Sequence, residues 1–188
     1  MSDSTQLIEI EGDGHEFSEQ VEKNARHLSA ERMAGAGRRA VNRAARTART
    51  HYSRGVRERL AMKASDVKDD IELRRATDTN PEATLVVSRQ PVPLRDYGAK
   101  QRQSGVSVRV TKQTGRTILD GSFTVGSIGG HVFMRDDDVG RLPIGKLWGP
   151  SVGSQHEHGV ARARPEAERV LQQRLEHEIG RQIEQANR

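Results

Sequence analysis

Two short clusters in this sequence carry side chains of the types that bind metal ions. His156 and His158 flank Glu157, and histidines two residues apart can share a zinc ion on a strand but not on one helix face. No third ligand follows at a recognisable spacing. Residues 136–138 are three aspartates, whereas a calcium loop needs ligands at alternate positions and a distal bidentate acid. Both clusters are interpreted as solvated loops, and no metal or other cofactor is predicted.

Nucleophilic and phosphate-binding chemistry have as little support. The chain has no cysteine, which excludes disulfides and thiolate catalysis. Its serines and histidines form no recognisable nucleophile–base pair. The glycines of residues 126–131 (GSIGGH) do not join a strand to a helix, as a phosphate-binding loop would. The sequence therefore predicts a protein that is not an enzyme.

The strongest chemical signal is a separation of charge along the first 60 residues. Residues 1–22 carry seven acidic and no basic residues, whereas residues 26–60 carry ten arginines against Glu31 and Glu58. This pattern favours contact with a polyanion or with an oppositely charged protein surface. The candidate residues for contact with DNA or a partner are Arg38, Arg39, Arg43, Arg46, Arg49, Arg54 and Arg57.

Two interpretations of these arginines are equally open. They either solvate the outer face of a helix or face a polyanion, which is DNA or the acidic surface of a neighbour. Proteins that read a base sequence add stacking aromatic residues or Asn and Gln at base-reaching positions. Only Tyr52 and Asn42 could serve in that way here, so contacts to a DNA backbone or to protein are favoured over sequence readout.

The arginines lie on a predicted long helix from Ala30 to about Met62, since alanine and arginine are strong helix formers. A small or apolar residue recurs at every fourth position of this helix. These positions are Ala36, Ala40, Ala44, Ala48, Tyr52, Val56 and Leu60. A four-residue step drifts by about 40° per repeat around a helix of 3.6 residues per turn. We therefore expect the helix to bend, for example at Gly55, or to meet partners on different sides along its length.

The rest of the pattern predicts an α+β fold with N-terminal helices and a small antiparallel sheet. Residues 7–11 alternate as an edge strand, and residues 16–28 and 63–76 have the spacing of further helices. Short runs separated by glycine turns predict about four strands between residues 84 and 134.

A single domain is expected, preceded by an arm. A polar hinge at residues 153–159 leads into an amphipathic C-terminal helix at about residues 161–186. We expect an acidic N-terminal arm over residues 1–14 and one α+β domain over residues 15–188.

The apolar content is low for a self-sufficient core, at 33% hydrophobic and 3% aromatic residues over 188 positions. Part of the stability is therefore expected from neighbours in an assembly. Two extended segments, residues 91–94 and 142–152, are interpreted as arms that lie on a neighbour. The predicted inter-subunit residues are Pro91, Pro93, Leu94, Tyr97, Leu142, Pro143, Ile144, Leu147, Trp148 and Pro150. No membrane segment or signal peptide is predicted, so synthesis in a cytoplasm is expected.

Several segments in order resemble the prophage minor tail protein Z family, the tail completion proteins of lambda-like long-tailed bacteriophages. The resemblance extends over roughly residues 35–180. Its segments are residues 39–45 (RAVNRAA), 91–97 (PVPLRDY), 99–101 (AKQ), 105–110 (GVSVRV), 121–123 (GSF), 131–135 (HVFMR) and 142–152 (LPIGKLWGPSV). Each segment alone is weak, but their order and spacing together make a specific pattern.

The resemblance implies a structural virion protein with a fold like that of tail terminator and neck proteins. Such a protein would complete the head-proximal end of the tail, where the tail joins the filled head and the DNA end is positioned for ejection. The implied partners are further copies in a ring, with six expected from the symmetry of the tail tube. They also include a tail terminator or tail tube protein, head-completion or connector proteins, and the phage DNA end.

Alternatives from other classes stay open at this stage. The same fold and charge pattern would suit a tail terminator that stops tube growth, or an assembly factor absent from the finished virion. A free basic DNA-binding protein is a further alternative, since the arginine-rich helix would also serve it. The family resemblance favours the head–tail junction of the virion over each of these.

Overall fold

The computed structural model describes residues 6–10, 30–135 and 143–186 and has the α+β architecture expected from the sequence. Two long antiparallel helices, α1 (Ala30–Arg59) and α3 (His156–Ala186), pack along each other. The chain between them forms a short helix, α2 (Ala64–Asp69), and, together with a strand before α1 (Gln6–Ile10), several small antiparallel sheets. The helix predicted at residues 16–28 and the aspartates at 136–138 lie outside the described residues, as does most of the acidic arm.

The four-residue stripe of α1 is buried along its whole length. Every one of its seven positions is at most 1% exposed. Helix α3 carries a matching step, with buried residues at Gly159, Ala163, Ala167, Leu171 and Ile179. Because both stripes drift around their helices at the same rate, the two helices stay in contact as the stripes turn. On another side of α1, Ala45 packs against Ala83 of a strand and against Ala76, which lies outside the strands. Helix α1 therefore has partners on different sides, as one of the two alternatives expected, and a bend at Gly55 stays a prediction.

Glycines let the two helices approach closely at one end of the pair. The ring of Tyr52, which is fully buried, lies directly on Gly159 of α3. A Cβ atom built on Gly55 would lie 2.6 Å from the carbonyl oxygen of His158. Any larger residue at these positions would force the backbones apart. The two glycines thus fix the spacing of α1 and α3 at this end of the pair.

Eleven short strands form four small sheets within the described residues. The strands are β1 (Gln6–Ile10), β2 (Ile71–Arg74), β3 (Ala83–Val87), β4 (Val92–Pro93), β5 (Lys100–Gln101), β6 (Gly105–Val108), β7 (Thr117–Asp120), β8 (Phe123–Val125), β9 (His131–Arg135), β10 (Ile144–Lys146) and β11 (Trp148–Gly149). The sheet orders are β1-β3-β2, β5-β6-β7, β10-β9-β8 and β11-β4, and all pairs are antiparallel. The 3₁₀ turn at Leu94–Tyr97 separates β4 from β5, whereas the turn at Gly126–Ile128 joins β8 to β9 within one ladder. The strands thus form several small sheets and not the single sheet expected.

The helix predicted over residues 63–76 is wrong in its second half. Helix α2 ends at Asp69, and Ile71–Arg74 forms β2. Ile71 and Leu73 alternate with charged residues, and β2 pairs with β3 from Ile71↔Val87 to Arg74↔Thr84. The period of two, which places Ile71 in the core, decides the structure of this segment.

The polar hinge predicted at residues 153–159 is also wrong. A 3₁₀ turn, Val152–Gln155, runs directly into α3, which begins at His156 rather than near residue 161. Gly159 lies against the Tyr52 ring, and this packing secures the first turn of α3 to α1. Tertiary contact thus outweighs the polar composition of the segment.

Candidate functional site

Four arginines of α1 converge on one open groove beside α3. The groove has a volume of about 480 Å³. Its lining residues are Arg38, Arg39, Asn42, Arg43 and Arg46 of α1, and Arg174 and Glu178 of α3. We call this feature the arginine groove. The described residues that line it include no apolar side chain.

Helix geometry explains why these side chains meet. Arg39, Arg43 and Arg46 lie at i, i+4 and i+7, which places them on one face of α1. Next to that face, Ala40 and Ala44 pack against Leu171 of α3. The small alanines bring the helices close together, so the longer arginine side chains beside them extend past the contact and hold their guanidinium groups at its rim.

One ion pair joins the two walls of the groove. Arg39 Nε lies 2.6 Å from Oε2 of Glu178, whose side chain is only 13% exposed. A second pair, Arg38 Nε to Asp78 Oδ1 at 3.1 Å, involves an aspartate that is 76% exposed. Exposed pairs contribute about 0–1 kcal/mol to folding, so only the Arg39–Glu178 contact has a clear structural role.

The other guanidinium groups of the groove have no partner among the described residues. Arg43, Arg46 and Arg174 form neither a hydrogen bond nor an ion pair through their side chains there. Arg43 and Arg46 are exposed, and Arg174 is half-buried. Among the described residues, five arginines thus share the groove with a single carboxylate. Their summed field attracts anions, and their mutual repulsion falls when an anion binds.

Asn42 and Tyr52 are not available to read bases. The amide of Asn42 donates from Nδ2 to the Ala76 carbonyl at 3.0 Å, and its Oδ1 accepts from the Ala76 N–H at 2.9 Å. Tyr52 is fully buried, and this burial raises the pKa of its phenol. Both side chains therefore support the fold, which agrees with the preference for backbone contacts over sequence readout.

Replacing Asn42 by alanine should destabilise the fold by about 1–3 kcal/mol, because the buried Ala76 backbone would lose both of its partners. Thr47→Ala is the matched control on α1, since Thr47 only donates to the carbonyl of Arg43 on the exposed surface. Its effect should stay within about 0.5 kcal/mol. Urea unfolding of both variants measures the difference. Equal stabilities would show that the Asn42 contacts contribute nothing.

Three of the seven predicted arginines lie away from the groove. Arg49 Nη2 donates to the carbonyl of Lys68 at 2.6 Å, and Arg57 Nε donates to the carbonyl of Met62 at 3.3 Å. Arg54 is exposed near Glu166. The pKa of Glu166 is lowered chiefly by its hydrogen bond from Arg169, and the charge of Arg54 adds to this. Arg49 and Arg57 thus brace α1 against the segment that follows it.

The two segments predicted to lie on a neighbour pair with each other. Strands β4 and β11 form an antiparallel ladder with Trp148 opposite Pro93. Tyr97 donates its hydroxyl to the Pro150 carbonyl at 2.5 Å, and the Leu94 N–H donates to Leu147 at 3.3 Å. Leu94 and Tyr97 are buried in the core of this chain. These two residues therefore do not project as arms, because their side chains pack within the core of their own chain.

Other members of these segments remain at the surface. Pro91, Pro143, Trp148 and Pro150 are exposed, whereas Pro93, Ile144 and Leu147 are half-buried. Leu142 lies outside the described residues. Trp148 is 51% exposed, and the ammonium of Lys146 lies 4.1 Å from the centre of its ring. A contact between subunits through these exposed residues stays a prediction.

The histidine cluster is part of the helix pair. His158 Nε2 accepts from Arg59 Nε at 3.1 Å, and His156 Nδ1 lies 3.3 Å from the Tyr52 hydroxyl. No group of three or more metal-ligating side chains occurs within residues 6–10, 30–135 and 143–186. In the same ranges, no helix has the length and apolar character needed to cross a membrane.

His156 should make stability depend on pH. Burial, and then the charge of Arg89, lowers its pKa below the ordinary 6.5. The folded state thus binds a proton less readily than the unfolded state, so stability is full above pH 6.5 and falls as the pH drops below it. His156→Gln should flatten this acid-side loss in urea unfolding, whereas His177→Gln, an exposed position on α3, should leave it unchanged. Parallel pH profiles for wild type and His156→Gln would contradict this.

Sequence reasoning missed Arg174 and Glu178. Both lie on the predicted C-terminal helix, but nothing local indicates which face of that helix meets α1. The sequence signal that could have located these two residues is the four-residue spacing of small and apolar positions, which α1 and α3 share. Aligning the two stripes in antiparallel order places Glu178 beside Arg39 and Arg174 near Arg43.

Comparison with known families identifies the class of protein. The family model of prophage minor tail protein Z matches residues 18–188. The chain is thus a structural protein of a bacteriophage tail and a component of the virion. Since the match covers nearly the whole chain, this protein belongs to the prophage minor tail protein Z family. Neither a curated protein sequence nor a solved structure is significantly similar to it.

Proposed function

We propose that this chain completes the head-proximal end of the phage tail, so that the tail can join the filled head and the DNA end is positioned for ejection. The observation that carries the proposal is the arginine groove in a protein of the minor tail Z family. The DNA passes from the head into the tail at that end. A groove whose described lining is rich in arginine and holds no apolar side chain suits such a position.

The proposal includes a ring of copies of this protein around the channel. Six copies are expected, because the tail tube has sixfold symmetry. A tail terminator or tail tube protein on one side and head-completion or connector proteins on the other would be its neighbours. The surface that supports this is the exposed edge of the β4–β11 pair, with Pro91, Trp148 and Pro150. Exposed aromatic residues are enriched at protein interfaces.

Electron microscopy of lysates from phage that lack this gene tests the proposed function. We expect DNA-filled heads and separate tails of normal length, with joined infectious particles restored by the wild-type gene in trans. Abnormally long tails would instead assign a tail terminator role. Joined particles in normal number and with normal titre would overturn the proposal.

Self-association tests the ring. Trp148→Ser should abolish or strongly weaken an oligomer seen by light scattering, because aromatic anchors carry much of the binding energy of interfaces. Ile118→Ser is the matched control, since Ile118 is 48% exposed on β7, outside the β4–β11 pair. If the Trp148→Ser and Ile118→Ser variants form oligomers of equal mass, this edge is not the contact between subunits.

A further inference from the structure

The arginine groove combines features that point to one type of ligand. Five arginines line its volume of about 480 Å³, and the one anionic residue among the described lining residues, Glu178, is engaged by Arg39. Nη2 of Arg39 is shielded from water and has no hydrogen-bond partner among the described residues. Arg39 is thus held in the wall of the groove, and Arg43, Arg46 and Arg174, whose side chains have no partner among the described residues, remain to meet an anion.

The composition of the groove distinguishes a nucleic acid from a protein partner. Protein interfaces have an apolar core with aromatic residues, and the described lining of the groove has neither. Interfaces with nucleic acid are more polar and much more positive. Guanidinium groups also match phosphate in a bidentate geometry. Asn42, the neutral side chain of the described lining, is already bound to Ala76, so no group of that lining remains to read bases.

We propose that the arginine groove binds the phosphate backbone of duplex DNA without sequence preference, through Arg43, Arg46 and Arg174. Arg39 and Glu178 position the groove, because their ion pair holds α1 and α3 together. Arg49, Arg54 and Arg57 take no part. This inference rests on the proposed function in one respect: that function identifies the polyanion as the phage DNA that passes through the tail.

Binding of purified full-length protein to short fluorescent duplexes of two unrelated sequences provides the test. We expect equal affinities for the two duplexes and a steep loss of affinity with salt, with a log–log slope of about −0.9 per phosphate neutralised. Arg43→Ala/Arg46→Ala should weaken binding at low salt by roughly tenfold or more and reduce the slope by about 2. Arg174→Ala should reduce the slope by about 1.

Arg102→Ala/Lys112→Ala is the matched control, because both residues are exposed and the same charge is removed outside the groove. Its affinity and slope should equal those of the wild type. Absence of binding at low salt, or an equal loss in this control, would overturn the inference. So would loss of self-association rather than of DNA binding in Arg43→Ala/Arg46→Ala, which would assign the groove to an acidic protein surface.

The two proposals can fail separately. DNA binding through the groove, in a protein whose loss leaves heads and tails joined, would contradict the proposed function and leave the groove assignment standing. If heads and tails fail to join without the gene but the protein does not bind DNA, the proposed function stands and the groove assignment is contradicted.

Discussion

Gly159→Ala is expected to destabilise the folded chain by about 1–3 kcal/mol. A Cβ atom at this position would lie 2.6 Å from Cζ of Tyr52 and closer still to the ring edge. The ring cannot move aside, because Tyr52 is fully buried between α1 and α3. The clash must therefore separate the helices, and it outweighs the gain of up to about 1 kcal/mol that alanine brings over glycine within a helix.

Gly180→Ala is the matched control on the same helix. A Cβ atom there meets nothing within 4 Å, so only the helix-propensity gain remains, and stability should rise by about 0.5–1 kcal/mol. The two substitutions are chemically identical and should have effects of opposite sign in urea unfolding. A stabilising effect at both positions would show that α1 and α3 do not approach as closely as described.

Charge reversal in the arginine groove should abolish function while preserving the fold. Arg43→Glu/Arg46→Glu changes two exposed side chains without partners among the described residues, so the unfolding free energy should change by no more than about 0.5 kcal/mol per site. Supplied in trans to phage lacking the gene, the variant should lower the infectious titre by orders of magnitude relative to wild type. Repulsion between the new carboxylates and DNA phosphates is the physical reason.

The control for this variant carries the same change of net charge elsewhere. Arg102→Glu/Lys112→Glu reverses two exposed cations outside the groove and should restore full titre. Arg39 is left unchanged in both variants, because a glutamate there would face Glu178 and break the ion pair between the helices. Full titre with Arg43→Glu/Arg46→Glu would show that the arginines are only solvated.

The long helices and many strands could be predicted because their signals are local. Alanine and arginine content predicts α1, and the alternation of residues 105–108 predicts β6, which is confirmed. The segment at residues 71–74 shows the limit of this reasoning. Its four residues fit a helix or a strand equally well, and pairing with β3 decides between them.

Long-range pairing accounts for what local patterns could not give. The ladder between β4 and β11 joins residues more than 50 positions apart, such as Val92 and Gly149, and neither segment alone indicates its partner. The beginning of α3 at His156 depends in the same way on the contact of Gly159 with Tyr52.

The candidate site was predictable in part. The charge excess on α1 indicates a polyanion site, and Arg38, Arg39, Arg43 and Arg46 do line one groove. Helical position alone could not separate them from Arg49 and Arg57, which donate to backbone carbonyls of the segment that follows α1. The contribution of Arg174 depends on how α3 docks, which the stripes of both helices determine together.

The position of this protein in the virion can be tested by electron microscopy of purified particles labelled with gold-conjugated antibody against it. We expect label at the head–tail junction of intact virions and at one end of free tails. Label along the tail shaft or at its distal tip, or no label on particles from cells that contain the protein, would contradict a role at the head-proximal end.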